Sequence, residues 1–208
     1  MTSPDLSRRD RLVIKGDPDD AAHLVRHVLD EVGPSYRPVG HAPLIDALIG
    51  RVPGLAPIRE FFWMETAALP APPAVGVEWL DEVTVKEAIS LFDRFFPDSY
   101  AQPEDSAVRR WAGIVDSLGG RERPEPLAVA ADVWSAANCG FLAGVCVHPA
   151  ARGRGLAQAV CGFVIEALVR RHGRAALMVH ADNQAAIAVY ERLGMTKRLL
   201  CAAQVVSP

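Results

Sequence analysis

The sequence has no long hydrophobic run, few cysteines and no large excess of charge of one sign. Nowhere do about 18 apolar residues follow one another, which is the usual minimum for a membrane-spanning helix. The segment 1–10 is polar and charged, so it lacks the apolar stretch of a secretory signal. These absences predict a cytoplasmic protein without a membrane partner.

The formal net charge of -3 gives no reason to expect a nucleic-acid partner, because such binding usually depends on a basic face. The four cysteines form no CxxC pair, so neither a structural zinc site nor a disulfide framework is predicted. His23 and His27 are four residues apart, but no third ligand is evident, and no metal site is predicted.

Half of the residues are hydrophobic, and their spacing alternates between strand and helix periods, which predicts an α/β fold. A proline-rich segment, 69–74, favours an extended linker and places a domain boundary near residue 75. Residues 1–75 are therefore predicted to form an N-terminal α/β unit with its linker, and 76–208 a second domain. The first has predicted strands at 11–16 and 58–66 and helices at 18–32 and 43–52.

The second domain is predicted to contain six strands and three helices. The strands are 76–80, 111–115, 127–134, 141–147, 175–179 and 197–206, and the helices are 83–96, 156–172 and 184–192. Gly119 and Gly120 predict a hairpin turn between the second and third of these strands.

The strongest motif joins the strand 141–147 to the helix that follows it, and it reads Arg152-Gly153-Arg154-Gly155-Leu156-Ala157. Glycines let backbone amides approach a ligand closely, and the first turn of a helix has unpaired N–H groups that favour an anion. Arginine adds permanent charge and forked donors that suit phosphate oxygens. The motif indicates a diphosphate site, and the alternative is a glycine-rich turn with solvated arginines.

Two spaced motifs resemble the GNAT superfamily of acyl-CoA-dependent N-acyltransferases. The first consists of Val147-His148-Pro149 and the loop from Arg152 to Ala157. The second comprises Asn183, Ala186, Tyr190, Glu191, Leu193, Gly194 and Met195. Over residues 76–205 the resemblance implies a mixed, mostly antiparallel sheet flanked by helices. The layout of an additional N-terminal α/β unit is also similar to the glycine N-acyltransferase-like branch.

The resemblance implies roles for individual residues. The pantetheine arm of acetyl-CoA would pair with the backbone of Val145 and Val147, beside Cys146, and Asn183 would help to hold the co-substrate. Tyr190 would be the general acid, and a phenol with a pKa of about 10 does remain protonated at neutral pH. The alternative role of Tyr190 is to pack its helix on the sheet. Cys146 is either a thiol relay or a small buried hydrophobe.

The sequence does not identify the general base. His148 and His180 end two strands near the predicted site, and Asp132 and Glu125 are weaker candidates. The triplet 109–111, Arg-Arg-Trp, is interpreted as a solvated strand start that leads into a buried tryptophan.

The resulting functional hypothesis is direct transfer of an acetyl group from acetyl-CoA to the amine of a small molecule or peptide. A catalytically silent acyl-CoA-binding or sensing module is the alternative, and a pure interaction domain is a third interpretation. The sequence is compatible with a homodimer but does not determine the oligomeric state. Only 13 residues follow Met195, which is enough for one strand, so segment 58–65 is expected to supply a further strand or to pack beside the site.

Overall fold

The computed structural model describes residues 10–115 and 126–206. Within these ranges lie nine strands and six α-helices. The strands are β1 (Arg11–Val13), β2 (Arg37–His41), β3 (Leu55–Thr66), β4 (Glu78–Trp79), β5 (Arg110–Val115), β6 (Pro126–Ala136), β7 (Cys139–Val147), β8 (Ala175–His180) and β9 (Thr196–Val205). The helices are α1 (Pro18–Val32), α2 (Ala42–Ile49), α3 (Glu82–Glu87), α4 (Ile89–Phe95), α5 (Leu156–His172) and α6 (Gln184–Arg192).

The chain forms two compact units, and each contains more than one stretch of sequence. The first unit comprises Met1–Trp63, Met178–Gln184 and Lys197–Pro208, and the second comprises Met64–Leu177 and Ala185–Thr196. Strands β3, β8 and β9 each pass from one unit to the other. The domain boundary expected near residue 75 stays a prediction.

In the first unit the strands follow the order β1-β2-β9-β3-β8. Helix α1 begins where sequence rules place it, because the Asp17 carboxylate accepts the N–H groups of Asp19 and Asp20. Its buried face packs with residues of α2 and β9, including Ile45 and Leu48, in one hydrophobic core. Segment 58–65 lies within β3, which stands between β9 and β8, so the N-terminal region does supply an additional strand.

In the second unit the order is β8-β7-β6-β5-β4. From β4 to β7 each strand pairs antiparallel with the next one along the chain, and β7 pairs parallel with β8. The α/β class and the mixed, mostly antiparallel sheet flanked by helices are therefore confirmed. The hairpin between β5 and β6 is confirmed as well, although Gly119 and Gly120 lie outside the described residues.

Two predicted elements of the second unit are corrected. The strand expected over 76–80 contains only Glu78–Trp79. The single helix expected over 83–96 is two helices, α3 and α4, because the Ala88 N–H bonds to the Val85 carbonyl three residues earlier, a 3₁₀ contact that interrupts the α-helical series. A run of β-branched residues in α3 weakens its helix propensity and favours this break.

Candidate active site

The loop before α5 has the geometry of an anion site. It follows a 3₁₀ turn, Pro149–Ala151, and Gly153 and Gly155 adopt the left-handed φ values of 75° and 77°. Gly155 caps α5, and no side chain bonds to the first amides of this 17-residue helix. Arg152 and Arg154 are exposed beside these amides. The loop therefore has two exposed arginines next in sequence to a helix N-terminus, where backbone donors and the helix dipole favour an anion.

Strand β7 leads into this loop and carries a bulge at its centre. Gly144 has a φ of 62°, and the register with β6 shifts between Val129 and Ala131. The bulge lets the Trp111 indole lie against the strand, since a Cβ on Gly144 would come within 2.5 Å of its Cη2 atom. The signal for this bulge in the sequence is an isolated glycine within a strand pattern.

The pairing of β7 with β8 is short. Its register joins Gly140 to Ala175 and Phe141 to Ala176, at the first residues of both strands. Val145, Cys146 and Val147 are the last three residues of β7, where the register pairs the strand with β6. These three predicted contact residues therefore lie together, directly before the loop that begins at Arg152.

The Cys146 side chain is part of the protein interior. It is 5% exposed and packs in the same core as Phe92, Trp111 and Val129. Burial raises the pKa of the Cys146 thiol to about 11, although the Arg152 charge acts in the opposite direction. The group is therefore a neutral thiol near pH 7, as a buried hydrophobe would be.

Tyr190 lies in the last turn of α6 and is 6% exposed. Burial is the main cause that raises the pKa of its phenol well above the usual value near 10, and the neighbouring Cys161 thiol adds to the effect. The hydroxyl therefore keeps its proton at neutral pH and can act as a hydrogen donor. The Tyr190 carbonyl also accepts the N–H of Met195, which fixes the turn after the helix.

Asn183 belongs to the first unit and directly precedes α6. Its N–H donates to the His180 carbonyl at 3.1 Å, in the turn between β8 and the helix. The local structure thus fixes the backbone of Asn183 at the helix start that the sequence predicted.

Both histidine candidates for a base have one ring nitrogen engaged. The His148 Nδ1 accepts the Ala150 N–H at 3.2 Å, and its ring packs edge-on against Phe95. The His180 Nδ1 lies 2.8 Å from an Arg59 guanidinium nitrogen. Because arginine can only donate, Nδ1 of His180 accepts and its proton resides on Nε2. The same holds for His148, so each neutral ring presents its Nε2 as a donor and neither offers a free acceptor nitrogen.

The two carboxylate candidates for the general base are Asp132 and Glu125. Asp132 is fully buried, and its Oδ2 accepts from Arg109 at 2.9 Å and from Arg110 at 3.1 Å. Its Oδ2 is thus already engaged as the counter-ion of two guanidinium groups. The interpretation of both arginines as solvated is corrected here, because each turns one donor towards this buried charge, while Trp111 is buried as expected. Glu125 lies outside the described residues.

Two further predictions concern a metal ion and a membrane. His23 and His27 are both exposed on α1, and the described residues contain no group of three or more histidine, cysteine, aspartate or glutamate side chains arranged for a metal ion. No helix within 10–115 or 126–206 is long and apolar enough to cross a membrane.

Comparisons with known proteins agree with this geometry. Two mycothiol acetyltransferases, from Mycobacterium avium (strain 104) and Mycolicibacterium paratuberculosis, are each 28% identical over an alignment of 216 positions. Each alignment covers 89% of this chain and 68% of the relative. A solved GNAT-family protein from Novosphingobium aromaticivorans is 28% identical with a TM-score of 0.58, and the match covers 74% of this chain and 67% of the other.

A GCN5-related N-acetyltransferase from Kribbella flavida shares the fold at 19% identity, with a TM-score of 0.62 over 95% of this chain and 82% of its own. These matches do not confirm the glycine N-acyltransferase-like branch. The model of the acetyltransferase (GNAT) family matches residues 85–195, which is 111 of 208 residues and just over half of the chain. The chain is therefore an acetyltransferase of the GNAT family, whose co-substrate is acetyl-CoA.

Proposed function

We propose that this protein binds acetyl-CoA at the corner between β7 and α5 and transfers the acetyl group directly to an amine. The observation that carries this proposal is the loop from Arg152 to Gly155, because two left-handed glycines and two exposed arginines directly precede a helix start whose N-cap glycine has no side chain. A diphosphate carries the charge and the oxygen atoms that this set of donors fits.

The pantetheine arm would lie along the end of β7. Val145 and Val147 lie in the part of the strand beyond its register with β8, and their backbone would pair with an extended arm there. Cys146, between them, turns its side chain into the core and would contribute only backbone. Asn183, at the start of α6, would add a polar contact to acetyl-CoA.

The chemical step is a direct displacement. The amine nitrogen attacks the carbonyl carbon of the thioester, the carbon–sulfur bond breaks, and the sulfur takes the proton of the Tyr190 hydroxyl. The protonated phenol that this needs is favoured by the burial of Tyr190, which raises its pKa. The attacking amine loses its proton to water, because the Nδ1 atoms of His148 and His180 both accept hydrogen bonds and leave Nε2 of each neutral ring as a donor.

The names of the two mycobacterial relatives raise a mycothiol-type molecule as one acceptor to test. The relation is distant, so the amine panel should also include unrelated small molecules and peptides. The competing function, a silent acyl-CoA-binding module, predicts binding of acetyl-CoA without acetyl transfer to any amine.

The test is the rate of CoA release from acetyl-CoA with such a panel, for the wild type and for Tyr190→Phe. We expect turnover in the wild type and a loss of about 100-fold or more in kcat in the variant, because general acid catalysis contributes about that much. The affinity for acetyl-CoA should stay unchanged. Tyr36→Phe, which removes a phenol from the first unit, is the matched control.

A wild type that binds acetyl-CoA but acetylates no amine would support the silent module instead. If Tyr190→Phe retains full kcat, the phenol is a packing residue and another group protonates the sulfur.

A further inference from the structure

A cavity of about 610 Å³ opens in the second unit among α3, α4, the segment before β5 and the start of β5. Its volume lies within the range of about 300 to 1,000 Å³ that is typical of small-molecule sites. Apolar side chains, among them Val85, Ile89 and Trp111, line part of it. None of the loop residues 152–157 lines the cavity, nor does Tyr190, so it is distinct from the proposed acetyl-CoA corner.

One wall of the cavity is cationic, and a buried carboxylate binds its side chains. Arg109 and Arg110 both line it, and both donate to the same oxygen of Asp132, a carboxylate with no exposed surface. Arg110 is held further by Trp79, whose ring centroid lies 3.6 Å from its guanidinium carbon. Two guanidinium groups with one carboxylate leave one unit of positive charge. Because these side chains are already fixed, an anion would bind with little loss of side-chain entropy.

Arg109 is the arginine with the larger free surface. Its side chain is 44% exposed, compared with 33% for Arg110, and it uses only one terminal nitrogen for Asp132. The remaining guanidinium donors have the planar geometry that suits a carboxylate. Lys86, also in the lining, adds a second positive charge. These groups favour a ligand with an acidic group.

The cavity also has acidic residues, which limit what that ligand can be. Glu82, Glu104 and Asp105 contribute to its lining. Asp105 already accepts the N–H of Ala107 through Oδ1. The lining therefore has three basic and three acidic side chains, so a negative group is favoured only in direct contact with Arg109, and the carboxylates can accept hydrogen bonds from N–H or O–H groups of the ligand. A molecule with one carboxylate and several donors therefore fits better than a dianion.

Trp111 connects this cavity with the strand that carries the proposed chemistry. The residue lines the cavity, and its indole lies against Gly144, in the bulge of β7. A ligand held at Arg109 and packed on Trp111 would thus be separated from β7 by one indole ring. This contact of Trp111 is the feature that links the cavity to the strand along which acetyl-CoA would lie.

We propose that this cavity binds the acceptor and that the acceptor is an amine that also carries a carboxylate, which Arg109 holds. This inference rests on the proposed acetyl transfer, since it names the substrate class of that reaction. Arg110 keeps its bond to Asp132 when Arg109 is changed, so the Arg109→Gln variant leaves the buried charge with a partner.

The test compares dipeptides with a free carboxyl terminus and the same dipeptides with an amidated terminus, by calorimetric titration without acetyl-CoA. We expect the wild type to bind the free acids about tenfold or more tightly than the amides, which is the ratio expected for one charge-assisted contact. Arg109→Gln should abolish this preference without a change in affinity for the amides. Arg170→Gln, which removes an exposed arginine paired with Glu166 on α5, should keep the preference.

Equal affinity for acids and amides in the wild type, absence of binding by both, or a preference that survives in Arg109→Gln would overturn the inference. Turnover with acetyl-CoA separates this failure from that of the proposed function. Acetylation of acids and amides with equal KM would contradict the acceptor class and leave acetyl transfer intact. A carboxylate preference in the titration without acetylation of any amine would contradict the proposed function alone.

Discussion

The bulge of β7 and the loop that follows it both depend on glycines with positive φ, but their surroundings are opposite. Gly144, in the bulge, faces the buried Trp111 ring so closely that a side chain has no room. Gly153 and Gly155, in the loop, have no described heavy atom within 4 Å of where a Cβ would be. The first glycine is required by packing inside the protein. The other two are required by the backbone path and leave their amides accessible to a ligand.

This difference shows that two parts of one short segment have separate roles. From Cys139 to Val147 the chain shapes a strand around a core tryptophan, and from Arg152 onward it exposes backbone donors and guanidinium groups. Substitutions in the bulge should therefore act mainly on stability, whereas substitutions in the loop should act mainly on the affinity for acetyl-CoA.

The largest expected effect is that of Gly144→Ala. The new Cβ would lie 2.5 Å from Cη2 of Trp111, which is 4% exposed and cannot move freely, and alanine would be strained at a φ of 62°. Overpacking and backbone strain together should lower the free energy of unfolding by about 3 kcal/mol. Gly153→Ala is the matched control, with a similar φ and open space, and should cost about 1 kcal/mol.

Urea denaturation of the two variants and the wild type measures both values. If Gly153→Ala proved as destabilising as Gly144→Ala, the loop would be a packed element and the contrast between the two regions would be wrong.

The loop could be predicted from the sequence because its chemistry is local. A glycine beside an arginine at the start of a helix implies exposed amides and positive charge without knowledge of the rest of the chain. Helices α1 and α5 were predictable for the same reason, since Asp17 caps one and Gly173 ends the other in a left-handed conformation. The additional strand from the N-terminal region was anticipated only because so few residues follow Met195.

The remaining features depend on contacts between residues far apart in sequence. The bulge at Gly144 exists because Trp111, two strands away, needs space. The triplet 109–111 was misinterpreted because Asp132 meets its arginines only through the register of β5 with β6. The break at Ala88 is a single backbone contact that amphipathic spacing does not reveal. Local patterns thus predicted the loop that we propose for acetyl-CoA, and tertiary contacts determine the cavity.

A smaller effect is expected when the loop loses one charge. Arg152→Gln removes an exposed guanidinium beside uncapped amides, so we expect the KM for acetyl-CoA to rise about tenfold, with kcat within about twofold. The effect should shrink at high salt, because exposed charges are screened. Steady-state kinetics at two ionic strengths measures it, and Arg170→Gln, on the helix that follows the loop, controls for lost surface charge.

A fall in kcat at unchanged KM would place Arg152 at the chemical step and not at the diphosphate. Such a result would break the assignment of the loop to binding alone.

The smallest effect is expected at Cys146, which lies between the two regions. A thiol relay requires the thiolate, but the pKa of Cys146 is raised to about 11, so the group is a thiol at pH 7 and loses its proton only as the pH rises through that value. Cys146→Ala should therefore keep kcat within about twofold from pH 7 to 9, as expected for direct attack. Initial rates at several concentrations of both substrates should give intersecting reciprocal plots. Parallel plots in the wild type, together with a loss of activity in Cys146→Ala, would instead identify a covalent acetyl-enzyme and make β7 a catalytic strand.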